Sequence, residues 1–328
     1  MSRVQKNILQ ICLFVSIFTT LLIIATFLDL QISKILASGG LESGKYYTSN
    51  IFGQIIEYIG SFPIFFLGGF ACLIFMHHFY QFKDARRLLS LLFLLIGFGL
   101  IFYFYHDTMK YIARFITNQH TVKDYLYSWW GLLVMITLSL STTAIGVIFY
   151  HKVSFDNNRK LFNFAFVIIG TCVLYMIINL IKGPIGRMRF RAMTLIGNDF
   201  SYYTPWYVIS DAKEAVEALY PGVVSSDGFK SFPSGHTFSA GTIYALICLP
   251  DVFERFNNKK WRVLWYVIPI CYTGIVALGR IVAGAHFMSD VLIGGTLAYF
   301  GAELFRYIFI TRKIKKVQTI EEKEITNN

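Results

Sequence analysis

The stretch ILQICLFVSIFTTLLIIATFL, residues 8–28, contains no charged residue. As a helix rising about 1.5 Å per residue it spans about 30 Å, the thickness of a bilayer's hydrocarbon core. The apolar region of a secretory signal is shorter, roughly 7–15 residues. The run therefore reads as a retained first transmembrane helix, although Arg3 and Lys6 precede it.

The rest of the chain agrees with that opening. Of 328 residues, 55% are hydrophobic and only 15% charged, and the mean hydropathy is +0.54. A soluble domain carries about 25% charged residues, so the composition excludes an ordinary soluble enzyme. The net charge of +11 does not point to nucleic acid, because the basic residues lie in short clusters between apolar runs, as membrane topology is encoded. All five cysteines (Cys12, Cys72, Cys172, Cys248, Cys271) sit inside apolar runs and read as packing residues.

Eight spans are expected: 8–29, 59–80, 88–106, 129–150, 161–181, 234–253, 263–285 and 287–310. The sixth is the weakest, since Ser234, Thr237, Ser239 and Thr242 interrupt its first half. With a cytoplasmic N-terminus, the short inner segments hold Arg3 and Lys6; Lys83, Arg86 and Arg87; Lys152, Arg159 and Lys160; Arg255, Lys259, Lys260 and Arg262; and the cluster 312–323. That bias favours both termini inside. The longest outer loop, 182–233, holds an aromatic cluster at 202–207, read as an interfacial belt. A Ser/Asp-led segment, 210–219, is read as a short surface helix. The length and aromatics of 192–230 suggest a lid or selectivity element.

Three polar groups then stand out, because ionisable residues at membrane depth or at its edge are expensive. They are KGPIGRMRFR (182–191), SFPSGHTFSAG (231–241) and RIVAGAHFMSD (280–290). No span separates the first from the second and two separate the second from the third, so all three open on one outer face. His286 and Asp290 are spaced i, i+4, where a carboxylate can orient an imidazole and leave its other nitrogen nucleophilic. Ser234-Gly235-His236 opens a helix, whose N–H groups favour phosphate. Lys182, Arg189 and Arg280 supply fixed positive charge, and His236 a general acid.

Each feature alone has a plainer reading. His236 is a helix-start residue, Ser234-Gly235 a turn and cap, and His286–Asp290 a structural pair; Lys182 snorkels, and Arg187, Arg189 and Arg191 anchor headgroups. Their joint placement on one face favours a site. Two histidines and an aspartate could hold zinc or magnesium, but three neighbouring cations repel a dication and suit a phosphoryl group.

Lys182-x6-Arg189, Pro233-Ser234-Gly235-His236 and Arg280-x5-His286-x3-Asp290 resemble, in order, the three signature motifs of the type-2 phosphatidic acid phosphatase superfamily. The resemblance covers the last four spans, with Phe190 where the family usually has Pro and Gly279 where it usually has Ser. It implies an all-α polytopic transmembrane bundle, a six-helix phosphatase core within the eight spans. It implies His286 as a nucleophile forming a phosphohistidine, Asp290 as its orienter and His236 as acid and then base. Lys182, Arg189, Arg280, Ser234 and Gly235 would bind the phosphate, with no metal or other cofactor. Arg187 and Arg191 fall off the motif register and are expected at lipid headgroups.

The expected protein is a single integral-membrane domain over 1–328, with a motif-bearing core at 161–311 and a cytoplasmic tail at 312–328. It is a metal-independent lipid phosphatase of a bacterial plasma membrane, with its site on the extracytoplasmic side. Its partners are membrane lipids and a lipid phosphate or diphosphate, such as a polyprenyl diphosphate, phosphatidate or phosphatidylglycerophosphate, and no nucleic acid. The alternatives are a phosphotransferase using the same site and a non-catalytic transporter or scaffold; a transporter would place its polar site nearer the bilayer midplane. For topology, Asp227→Cys is expected to react with an impermeant thiol label added outside intact cells, and protection there overturns the orientation.

Overall fold

The computed structural model describes residues 3–38, 51–116, 122–152 and 155–312. Among them no strand occurs and the fold is all-helical. The helices are α1 (Arg3–Leu36), α2 (Ile51–Tyr80), α3 (Arg87–Ile116), α4 (Val122–Leu126), α5 (Trp129–His151), α6 (Phe155–Ile185), α7 (Phe190–Leu195), α8 (Ala212–Leu219), α9 (Gly235–Gly241), α10 (Leu249–Val252), α11 (Lys259–Val282) and α12 (Met288–Arg306). Beyond Arg312, the tail expected over 312–328 lies outside the described residues.

Among the described residues, six stretches are long and apolar enough to cross a membrane: Cys12–Leu36, Ile55–Tyr80, Arg87–Arg114, Trp129–His151, Asn158–Leu195 and Lys259–Val282. The other two expected spans are helical but of a different kind. Residues 235–252 change type twice, from α9 through a 3₁₀ stretch, Thr242–Cys248, into α10. The Thr242 hydroxyl donates back to the Ser239 carbonyl at 2.7 Å, the local competition by which such side chains disturb a regular ladder. Helix α12 carries Asp290, Glu303 and Arg306 within 19 residues. Arg306 is compensated there by Asp251 at 2.7 Å and Glu303 at 3.2 Å. Helix α1 continues past the expected boundary at residue 29 to Leu36, so Asp29 lies inside it.

The described residues form two compact units. The first lies within Met1–Gly53, Ile178–Thr237 and Ala277–Thr296, the second within Gln54–Ile177, Phe238–Val276 and Leu297–Asn328. The second is built on aliphatic and Phe side chains of α2, α3 and α6, among them Leu73, Phe75, Ile101, Phe164 and Val167, all buried. The first holds every motif residue from Lys182 to His236 and from Arg280 to Asp290.

Within the first unit, much of the segment expected to be a lid has a core of its own. Met188, Phe190, Met193, Val216, Phe229 and Phe287 are buried together. The surface helix expected at 210–219 is α8. Its Ala212 and Val216, four apart, face that core, while Lys213, Glu214 and Glu217 stay exposed, the amphipathic pattern of a helix lying on a surface. The Ser210 hydroxyl accepts from the Ala212 N–H at 3.2 Å and starts the helix. Tyr202 and Tyr203 pack on the same core, whereas Tyr207 is exposed. Removing a buried Phe ring costs about 3–5 kcal/mol. Phe229→Ala is therefore expected to loosen 192–230 and speed tryptic cleavage after Lys213 and Lys230 in otherwise folded protein; cleavage at the wild-type rate would show that this core does not hold the segment.

Candidate active site

Helix α6 ends at Ile185 with Lys182 in its last turn. The chain then runs without regular structure through 186–189 into α7, and Arg189, with extended φ and ψ, is the N-cap of α7. Backbone bonds stitch this segment to the other two motifs. Ser231 N–H donates to the Arg187 carbonyl at 3.0 Å, and Arg189 N–H donates to that of Gly228 at 2.8 Å. Arg191 N–H donates to the Gly284 carbonyl at 2.8 Å, and Ser234 N–H to that of Asp290 at 3.0 Å.

The third motif folds as a helix end followed at once by a helix start. Gly284 has φ +59, a left-handed conformation that glycine takes without the Cβ penalty. Its N–H donates to the Ile281 carbonyl at 2.8 Å and the Ala285 N–H to that of Arg280 at 3.1 Å. This pair is a Schellman motif and terminates α11 just after Arg280. Phe287 then caps α12: Asp290, at the third helical position, accepts the Phe287 N–H at 2.8 Å, one half of a capping box. His286 is held between these two devices.

The ring of His286 is completely buried. Its Nδ1 lies 2.6 Å from the Ser231 carbonyl oxygen and 3.7 Å from Asp290 Oδ2. A carbonyl only accepts, so Nδ1 carries the proton and Nε2 keeps its lone pair. Nε2 makes no hydrogen bond among the described residues. Burial, with the positive charges of Arg189 and Lys182 added, pushes the imidazole down to about 3 against the pull of Asp290. The ring is therefore neutral at ordinary pH, the form a nucleophile needs.

Asp290 is equally buried and has three firm donors besides its His286 neighbour. The Ser231 hydroxyl donates to Oδ2 at 2.5 Å, Phe287 N–H to the same oxygen, and Arg187 Nη1 to Oδ1 at 2.5 Å. Arg187, expected at a headgroup, instead has no exposed surface. Its Nε donates to the Thr204 carbonyl at 2.9 Å, Nη1 also to the Ser289 hydroxyl at 2.9 Å, and Nη2 to Asp29 at 3.0 Å. Its guanidinium lies over the Phe287 ring, 4.3 Å from the centroid.

The cations expected to cradle phosphate are Lys182, Arg189 and Arg280, all buried. The charges of Arg189 and Arg280 act on Lys182 through space, so the three converge. Arg189 Nη2 donates to Asp227 at 3.1 Å, and Arg191, half-buried, lies 3.8 Å from the same carboxylate. Ser234, expected on phosphate, caps α9: its hydroxyl accepts from Thr237 N–H at 3.3 Å and bonds the Thr237 hydroxyl at 2.9 Å. Gly235 lies under Lys182, where a Cβ would meet Nζ at 2.5 Å. His236 is the second residue of α9 and half-buried. Phe190, the departure from the family pattern, is fully buried and stacks on Phe200 at 5.2 Å.

Three residues of this site were not singled out from the sequence. Ser231 sets the His286 ring through its carbonyl, which leaves no side-chain signature, and its hydroxyl contact with Asp290 spans distant residues. Asp227 sits in a loop, where an acidic residue is unremarkable. Asp29 had a readable signal, an ionisable residue at the end of an apolar run.

Residues 160–314 match the family model of the PAP2 superfamily, and this segment, which contains every motif residue above, belongs to that superfamily. The chain is 29% identical over 154 residues to the "Probable diacylglycerol pyrophosphate phosphatase 1" of Schizosaccharomyces pombe, covering 44% of this chain and 52% of that protein. It is 27% identical over 217 residues to "Lipid phosphate phosphatase 1" of Arabidopsis thaliana, covering 62% and 60%. It is 33% identical over 88 residues to "Phosphatidylglycerophosphatase B" of Bacillus subtilis, covering 26% and 43%. The chain thus spans about half the length of the curated relatives it matches. No solved structure matches it significantly.

The fit of Lys182 over Gly235 gives a local test. Gly235→Ala is expected to displace Nζ and weaken binding of inorganic phosphate by about tenfold, the order of one charge-assisted hydrogen bond. Unchanged phosphate affinity both here and in Lys182→Met would remove Lys182 from the cradle.

Proposed function

We propose that this chain is a membrane-embedded lipid phosphatase that hydrolyses a phosphate monoester or diphosphate at the extracytoplasmic face through a phosphohistidine. The observation that carries the reading is His286: a buried neutral ring, held at Nδ1 by the Ser231 carbonyl, with Nε2 unengaged and fixed cations close enough to act on it. The printed names of the relatives, all phosphatases and all pointing to phosphorylated lipids, support the substrate class.

In this mechanism the phosphoryl group enters among Lys182, Arg189 and Arg280, which neutralise its oxygens and the charge that develops in the transition state. Nε2 of His286 attacks phosphorus while the bond to the leaving oxygen breaks, and His236 donates the proton that this oxygen takes up. The ring acquires positive charge, which the Ser231 carbonyl and the Asp290 carboxylate stabilise. His236 then takes a proton from water, whose oxygen attacks phosphorus and releases inorganic phosphate and the neutral His286. The fixed guanidinium and ammonium groups fill the electrostatic role a dication would have, which favours metal-independent chemistry.

The test offers purified protein in detergent a panel of phosphatidate, phosphatidylglycerophosphate, polyprenyl diphosphate and sugar phosphates. Phosphate release is expected from a lipid substrate, equally with and without EDTA, and His286→Ala is expected to be folded and inactive. EDTA inhibition reversed by a divalent ion overturns the metal-free step, and wild-type turnover by His286→Ala removes the nucleophile. Transfer of phosphate to an added alcohol in place of water identifies a phosphotransferase.

A further inference from the structure

Helix α1 is mostly exposed, with Phe27 and Ile35 more than two-thirds accessible. Its buried residues over the second half fall on one stripe, Ala25, Asp29 and Ser33, each four apart, which Ala37 continues just past the helix end. The side chains flanking Asp29 on that stripe are small, which lets the helix approach its neighbours closely, and the carboxylate sits in the middle. A charge in an apolar helix is expensive unless it is paired and hydrogen-bonded. Asp29 is both. Oδ1 accepts the Ser289 N–H at 2.9 Å, and Oδ2 accepts Arg187 Nη2 at 3.0 Å and the Ser289 hydroxyl.

These contacts lead directly into the site. The guanidinium is planar and rigid, so fixing Nη2 on Asp29 fixes Nη1 on Asp290. Ser289 is the second residue of α12 and Asp290 the third, so Asp29 also grips the turn that carries the carboxylate. Asp290 in turn holds Ser231, whose carbonyl sets the His286 ring. Asp29 lies outside residues 160–314, the segment shared with the superfamily.

We propose that Asp29 is a positioning residue for His286, acting through Arg187 and Asp290, so that α1 is a working part of the site as well as a membrane span. The proposal rests on the reading of His286 as nucleophile. It predicts that a change at Asp29 lowers turnover while the phosphate cradle of Lys182, Arg189 and Arg280 still binds.

The experiment uses the full chain in detergent and counts phosphate-binding sites by equilibrium dialysis with labelled inorganic phosphate, so that turnover is expressed per intact site. Asp29→Asn keeps the shape and removes the charge. It is expected to lower turnover per site by about tenfold, the order of coupling transmitted through such a network, with phosphate affinity and site count unchanged. Arg187→Lys keeps the charge but cannot bridge two carboxylates, and the same pattern is expected; it decides the matter if Asp29→Asn does not fold. Wild-type turnover per site in these variants overturns the proposal. So does a loss of phosphate binding in proportion to turnover, which marks Asp29 as scaffold only. Failure of the underlying reading looks different: in that case His286→Ala keeps wild-type turnover whatever Asp29 does.

Discussion

The buried carboxylate of Asp290 is the constraint on which the site depends. An isolated carboxylate away from water is disfavoured by several kcal/mol. Here the penalty is offset by a guanidinium, a hydroxyl and a backbone N–H, each from a different segment. Because each partner is needed, their positions are coupled. Ser231 shows the coupling most clearly. Its N–H donates to the Arg187 carbonyl, its hydroxyl donates to Asp290, and its carbonyl accepts the hydrogen bond from His286 Nδ1–H. The i, i+4 relation of His286 and Asp290 therefore works mainly at one remove: the carboxylate holds the serine, and the serine holds the ring.

The division of labour among the cations follows from their partners. Segment 186–189 lacks helical structure, and residues two apart in a regular strand would share a face, so alternation alone does not separate the two arginines. Arg187 turns toward the two carboxylates, and Arg189, two residues on, turns toward Asp227 and the charges around His286. One guanidinium is neutralised by two buried carboxylates, while the next belongs to the cradle proposed for phosphate.

What was legible in the sequence was whatever rests on side-chain type and spacing. The apolar runs marked the long apolar helices, and the three motifs picked out His286, Asp290 and the cations as candidates. The less legible parts depend on backbone form and on distant partners. Span six was weak by hydropathy because Ser234, Thr237, Ser239 and Thr242 fall in its first half, and the bond from the Thr242 hydroxyl to the Ser239 carbonyl accompanies its switch to 3₁₀ geometry. Arg187 was expected at a headgroup because, like Arg191, it falls off the motif register, and only its carboxylate partners distinguish it. Asp29 was read as the boundary of an apolar run, since hydropathy cannot tell a charge that ends a span from one that is paired inside it.

That last ambiguity bears on how the active segment is delimited. Residues 160–314, the segment that matches the superfamily, contain the groups proposed to react, yet within them Arg187 and Asp290 form a pair whose charges only cancel. In the proposed reaction the His286 ring becomes cationic when it takes the phosphoryl group, beside Lys182 and Arg189. A neutral pair opposes that positive charge weakly, whereas Asp29 adds a second carboxylate on the far side of Arg187 and leaves the cluster with a net negative charge. The carboxylate comes from α1, whose sequence otherwise reads as bilayer filler. The electrostatic balance of the phosphorylated state thus gives a physical reason for a charge at residue 29 that membrane insertion alone would disfavour.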